Sequence, residues 1–461
     1  MGSVDGGGAA PQFSIGYRRW MLFLLVAIYS CSFLDRVIIN TVGPAIIHEL
    51  HLSDLEFGLL GGAAFALFYT AFGMPIAWLA ERSHRVTIIS LCIGLWSTMT
   101  ALSGVTTTYW QLLLFRMGVG IGEGGASPAA HSLLSDYYPP RQRASALAIY
   151  SAGIPIGVLL GAAGGGWVAQ TFNWRVAFVV VGLPGLVLAI LARLTLREPA
   201  RGHSEAAPVE TKAPPMSAVV KRLFATKTFR NIAAGFVLTN LAANGVNTFM
   251  SIYLVRSFHL GLAKAGLFYG LVVGVSGLIG TLVGGFGADA AGKRDFRWYA
   301  WAPALGSLVA MPIYVMAFTR PSASSAVALF FAGGLMVTLY IAPTLAVVQN
   351  LVEPRMRATA AAFMFLMINI FGQGVGPTVI GAASDFLSHK VFVAGGPLSL
   401  CPAAKGDPGF LAGACAAPTA EGLKWSLLAL TISYFLGSLY FFAAARTIRK
   451  DLVYAAPSTA S

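Results

Sequence analysis

Four ionisable side chains sit where the surrounding sequence avoids water. Asp35 and Arg36 lie in SFLDRVIIN (Ser32 to Asn40), and Arg116 and Glu123 lie in FRMGVGIGEGG. A charge at the centre of a membrane helix costs ~2.5–3.5 kcal/mol on insertion scales, so four charges within apolar runs need a reason. Arg116 and Glu123 are two helical turns apart and share one face. Asp35 and Arg36 are neighbours, point about 100° apart and cannot easily share a partner. Carboxylates and guanidiniums in such a setting permit two kinds of chemistry. One is a static network of zero net charge that clamps two helices together. The other is a proton and headgroup site. Burial favours the neutral carboxyl and a nearby arginine favours the carboxylate. Moving Arg36 toward a substrate anion would then change whether Asp35 or Glu123 holds a proton.

The elements that must position these charges are long apolar helices. Of 461 residues, 56% are hydrophobic and 11% charged, against roughly a quarter charged in soluble proteins. Twelve runs, at 17–47, 55–80, 86–105, 109–135, 144–170, 174–196, 229–257, 264–288, 297–318, 323–350, 358–384 and 423–446, are long enough to cross a bilayer; a helix needs about 20 residues for that. The sequence therefore predicts an all-α membrane protein with twelve transmembrane helices. Residues 1–16 are expected to be a disordered N-terminus and 448–461 a cytoplasmic tail. The first apolar run is too long for the h-region of a cleaved signal peptide.

The net charge of +13 is topological. With both termini cytoplasmic, 22 of the 31 basic residues fall on the cytoplasmic side, 7 on the opposite side and 2 inside spans, as the retention of Lys and Arg in inner loops requires. Nucleic acid is not an expected partner. The one long polar interior segment, residues 198–227, separates six spans from six and reads as a flexible cytoplasmic linker, with a short amphipathic helix around Met216 to Phe224 on the membrane surface. The bundles are thus 17–197 and 228–447. Cys401 and Cys415 share the long outer loop, where oxidising conditions would permit a disulfide.

The two halves repeat one plan. HLSDLEFGLLGG from His51 aligns with HLGLAKAGLFYG from His259, and PRQRASA at Pro140 recurs as PRMRATA at Pro354. A duplicated six-span unit implies a transporter with its substrate site at mid-membrane between the repeats. GGFGADAAGKRD (Gly284 to Asp295) resembles the signature loop of the major facilitator superfamily, and AWLAERSHR (Ala77 to Arg85) is a degraded copy. FLDR, RMGVGIGEGGASPAA, IPIGVLLG, NWRVAFVVVGLPGL and LREPARG together resemble, more narrowly, the Spinster family of lipid transporters. GADAAGK (Gly287 to Lys293) has phosphate-loop spacing, but Arg294 stands where Ser or Thr would bind magnesium, and no strand precedes it. Transport must then draw on an ion gradient or run downhill.

The resemblance implies two pseudo-symmetric six-helix bundles with spans one and four lining a central cavity, where Asp35, Arg36, Arg116 and Glu123 would serve substrate and proton coupling. The second half offers Asn240, Asn244, Asn247, Tyr340, Asn369 and Gln373 among apolar residues as cavity lining. A cavity charged on one wall and greasy on the other suits an amphiphile, and Spinster proteins point toward sphingolipids or lysophospholipids. Proton-coupled multidrug or organic-anion transport is the alternative. Glu81, Arg82, Arg85 and Arg141 of the first half, with Asp289, Lys293 and Arg355 of the second, are either solvated loop charges or a cytoplasmic gate. Glycine stripes at Gly153, Gly157, Gly161 and Gly165 and at Gly266, Gly270 and Gly274 allow close helix approach, for packing or for rocking of the halves. His131, two turns beyond Glu123, is a packing residue or a proton relay. No cofactor, metal cluster or nucleophilic triad is expected. The protein reads as a monomeric transporter, not an enzyme, in a plasma membrane of bacterial inner-membrane type.

Overall fold

The computed structural model describes residues 13–199, 215–353, 356–395 and 416–451. Twelve long helices account for most of them: α1 (Ile15–Leu50), α2 (Asp54–Ala80), α3 (Arg85–Ser103), α4 (Tyr109–Tyr137), α5 (Ser145–Thr171), α6 (Trp174–Thr195), α7 (Lys227–Phe258), α8 (Leu262–Gly292), α9 (Trp298–Phe318), α10 (Ala323–Asn350), α11 (Thr359–Lys390) and α12 (Ala417–Asp451). Ten are apolar enough to cross a membrane by composition. The other two, α4 and α7, are 29 and 32 residues long. They carry the charges and asparagines, respectively, that the sequence singles out.

Helix starts follow local chemistry. Ser53 accepts from the Glu56 amide while Glu56 reaches back to the Ser53 amide, a reciprocal cap that begins α2. Thr108, Asn173 and Thr226 cap α4, α6 and α7 in the same way with one bond each. The ends of α1 and α7 explain the repeated His-Leu pair: His51 and His259 adopt left-handed φ values of 51° and 53°. Each turns the chain at the same place in its repeat, in a conformation more usual for Gly or Asn.

Chain termini mark one end of the molecule, here called the terminal end, and the other is the distal end. One cluster of buried hydrophobics crosses between the halves and takes in the distal parts of α1, α2 and α7, including Ile46, Phe57, Phe249 and Ile252. Toward the terminal end the core divides. One cluster, with Met21, Trp96 and Leu133, belongs to the first half, and another, with Phe236, Val347 and Phe441, to the second. The halves are therefore joined distally and keep separate cores terminally.

α1 meets α7 and α8 across the halves, and four further helices meet there in pairs, α2 with α11 and α5 with α8. Each of these four contains one wide π-helical turn, at Leu59–Ala63, Ile368–Val375, Leu160–Gly164 and Gly270–Val275, and the turns touch in those same pairs. The glycine stripes divide between two tasks. Gly153, Gly157, Gly161 and Gly165 press α5 onto α1 within the first half, whereas Gly266 and Gly270 of α8 lie against Ala162 and Leu159 of α5 in the other half. A short helix, Met216–Ala225, follows the connector; Val219 and Leu223 bury into the second half while Lys221 and Arg222 stay exposed. Cys401 and Cys415 lie outside the described residues, as do residues 1–12; Cys31 and Cys92 are free thiols.

Candidate functional site

Glu123 and Arg36 form an ion pair in the middle of the first half. The Arg36 Nε–H donates to Glu123 Oε2, and the Ser32 hydroxyl, one turn earlier on α1, donates to the same oxygen at 3.0 Å. Glu123 reaches this depth because glycines surround it in sequence. A Cβ on Gly120 or Gly124 would stand 2.7 Å from the Phe65 or Tyr69 carbonyl oxygen of α2, and one on Gly122 would stand 2.8 Å from the Trp96 nitrogen of α3. The GVGIGEGG run thus lets α4 press against two neighbours at once. Arg36 is wrapped by the rings of Phe33, Phe65 and Tyr69, at 5.0, 5.0 and 4.9 Å. Such contacts hold a guanidinium without neutralising it.

Arg116 Nη1 approaches the Asp35 backbone carbonyl at 3.5 Å and its guanidinium lies 5.3 Å from the Phe65 ring. Among the described residues Asp35 Oδ1, Arg116 Nε and Glu123 Oε1 are buried without a hydrogen-bond partner. The Thr100 hydroxyl comes near Asp35 without closing a bond. Asp35, Arg116 and Glu123 are 1–2% exposed; the Arg36 side chain keeps 16%. The structure gathers all four charges into one cluster inside the first half, and Arg36 is the member that solvent reaches.

Across the interface, Asn244 and Asn247 on α7 and Asn369 and Gln373 on α11 are half-buried. Asn244 donates to the Asn240 carbonyl at 3.0 Å and Asn369 to the Phe365 carbonyl at 2.8 Å. Asn240 is itself buried, bonded to the Phe236 carbonyl. Tyr340 departs from the expected lining. It packs in the core of the second half, its ring 5.1 Å from Phe236 and 6.4 Å from Phe441, because an aromatic at the α10 bend fills space between helices.

The terminal-end charges are also arranged differently from a simple cross-half gate. Arg85 is 1% exposed and its donors are used within its own half. It pairs with Asp136, binds Glu198 at 2.5 Å and Ser132 Oγ at 3.0 Å, and donates to the Pro199 carbonyl at 3.1 Å. It anchors the start of the connector to the first half. Asp289 is exposed and accepts from the Tyr299 hydroxyl at 2.6 Å; Arg82 lies over the Trp78 ring, and Lys293 is exposed. The side chains of Glu81, Arg141 and Arg355 lie outside the described set.

A distal ion pair escaped the sequence reading. Arg256 of α7 grips Asp54 of α2 with two bonds of 2.8 Å, and the Ser384 hydroxyl donates to Asp54 at 2.5 Å. Asp385 of α11 then accepts the Asp54 and Leu55 backbone amides at 3.0 and 2.9 Å. Asp54 and Arg256 both lie close to the duplicated His-Leu pair, with opposite signs in the two repeats. That opposition was the available signal.

This architecture has counterparts among known proteins. The description Major Facilitator Superfamily matches residues 25–377. An MFS-type efflux pump of Mycolicibacterium smegmatis is 34% identical over 400 residues, 83% of this chain and 90% of that one. Protein spinster of Drosophila melanogaster is 28% identical over 383 residues, 81% of this chain and 63% of that one. A crystal structure of a bacterial homologue of the human lysosomal transporter Spinster, inward-facing and unoccupied, matches with a TM-score of 0.88 at 33% identity, covering 96% of this chain and 100% of that one. Twelve helices in two halves, a charged first half and these matches place the chain in the major facilitator superfamily, as a bacterial-type relative of Spinster.

Proposed function

We propose that this transporter moves amphiphilic lipids of lysophospholipid or sphingolipid type by alternating access, with proton coupling through Glu123 and Asp35. The observation that carries the reading is the Arg36–Glu123 pair, in which the acid is sealed and the base retains access. A proton on Glu123 cancels the charge that holds Arg36 and frees the guanidinium for an anionic headgroup. Proton uptake and headgroup capture then favour each other. Rings beside Arg36 and the half-buried asparagines opposite give a headgroup site next to apolar surface. With the basic bias placing both termini in the cytoplasm, the terminal end faces inward, and the separate terminal cores fit an inward-open state.

The test is uptake by the purified chain in liposomes, with lysophospholipids, sphingoid phosphates, cationic drugs and hexuronates, with and without a pH gradient. The expected result is movement of the anionic amphiphiles and tighter binding at lower pH, by up to about tenfold per pH unit for one linked proton. Transport of hydrophilic anions or drugs alone would overturn the lipid reading. It would favour the second reading, organic-anion or drug transport, which the 34% identity to an efflux pump supports.

A further inference from the structure

Beside the ion pair lies a small cavity lined by residues of the first half. It is lined by Ser32 of α1, Trp96 of α3, Glu123, Ser127 and Ala130 of α4 and Tyr150 of α5, and the centre of a water molecule fits inside it. Two of its lining residues each carry a buried polar atom without a partner: Glu123 Oε1, an acceptor, and Trp96 Nε1–H, a donor. Both residues are 1% exposed. Desolvated groups of this kind are normally satisfied by protein or by ordered water. One water between them would accept from the indole and donate to the carboxylate, and its second proton would be left for the hydroxyls of the same cavity.

The direction of the cavity follows from the helices. Going from Glu123 to Ala130 descends α4 by two turns toward the terminal end, and Ser127 lies beside the Tyr150 phenol on the way. Tyr150 stacks on Tyr29 at 4.4 Å and meets the edge of His131 at 5.3 Å. His131 is exposed. His131, Tyr150 and Ser127 thus lie in order between the terminal side and Glu123.

We propose that a water held between Trp96 Nε1 and Glu123 Oε1 is the proton-loading site of the transporter, fed from the terminal end through Tyr150. This inference rests on the proton-coupling role given to Glu123 above. Glu123 then has two working faces. Oε2 meets Arg36 and senses the headgroup, while Oε1 takes its proton from behind, so substrate and proton need not pass one another. In the transfer an O–H bond of the hydrated proton breaks and an O–H bond to Oε1 forms; no other reactant is involved. The charged and titratable neighbours of Glu123 are Asp35, Arg36 and Tyr29 on α1 and Tyr69 on α2. Cys92 on α3, Arg116 on α4 and Tyr150 on α5 complete the set. Of these, Tyr29 and Tyr150 line the cavity on its terminal side, and Tyr150 is the one beside Ser127.

The test compares Trp96→Phe, Tyr150→Phe and Glu123→Gln with the unaltered chain in liposomes of mixed neutral and anionic phospholipid. Readouts are gradient-driven uptake, exchange at matched pH, and deuterium exchange of the Glu123 carboxyl band, identified by its absence in Glu123→Gln. Trp96→Phe is expected to slow gradient-driven uptake and deuterium exchange by roughly tenfold. Unchanged deuterium exchange in Trp96→Phe would overturn the water site. Should that variant fold poorly, Tyr150→Phe carries the test, and unchanged deuterium exchange there would overturn it equally. Proton coupling that survives in Glu123→Gln would instead remove the underlying role of Glu123, a separately readable failure.

Discussion

At Glu123, the smallest change with the largest consequence is loss of its partner. Removing one member of a buried ion pair leaves an uncompensated charge, at a cost of about 3–5 kcal/mol. Arg36→Ala should lose that much stability, visible as a lower melting temperature in detergent, while Arg36→Ala/Glu123→Gln should recover most of it. A double variant no more stable than Arg36→Ala would show that the pair is not the reason. Asp35 makes no comparable pair, so Asp35→Asn should fold normally and still lose proton-driven transport; unchanged uptake would remove its coupling role. Outside the membrane spans, Asp295 provides a milder case. Burial opposes its charge, but the Arg297 amide and the Arg449 guanidinium hold its carboxyl below the usual range. Stability from this contact is present above about pH 4, the unfolded value, and fades as pH falls through the lowered folded value. Asp295→Asn should flatten that acid limb by under about 1 kcal/mol.

Among the helices, close approach across the halves depends on missing side chains. A Cβ at Gly266 would stand 2.2 Å from the Ala162 carbonyl oxygen, whereas one at Gly287 of the same helix would touch nothing within 4 Å. Gly266→Ala is expected to cost about 1–3 kcal/mol of distal closure by overpacking, and Gly287→Ala to be neutral. Distal cysteine accessibility measures both. Equal accessibility in the two variants would mean that α5 and α8 do not need to meet. The π turns belong to this scale too. They fall in four of the helices that join the halves and touch in pairs there, and nothing in hydropathy marks them, since a wide turn keeps the same apolar residues.

For the molecule as a whole, the distal joint combines one shared hydrophobic cluster, the two-pronged Asp54–Arg256 pair and the bonds of Ser384 and Asp385 to the start of α2. Asp54→Asn should weaken the grip of Arg256 and move the population toward a distal-open form. Spin-label distances between the distal ends of α1 and α7 should then lengthen in a larger fraction of molecules than in the unaltered chain. An unaltered distance distribution would assign closure to the hydrophobic cluster and the Asp385 bonds instead. Among the described residues the two halves keep separate cores at the terminal end.

Helix number, the six-and-six division and the cluster of Asp35, Arg36, Arg116 and Glu123 were legible in sequence. Hydropathy, repeat offset and misplaced charge are local quantities, and each has a period or a cost that the chain displays openly. Partner choice was not legible. That Arg36 takes Glu123, that Arg85 is spent on its own half, that Tyr340 is core, and that Asp54 meets Arg256 all depend on the rotation of each helix about its axis and on which glycines let backbones touch. Those angles are set only when twelve helices pack together, because a residue's face has no meaning until another helix stands opposite it.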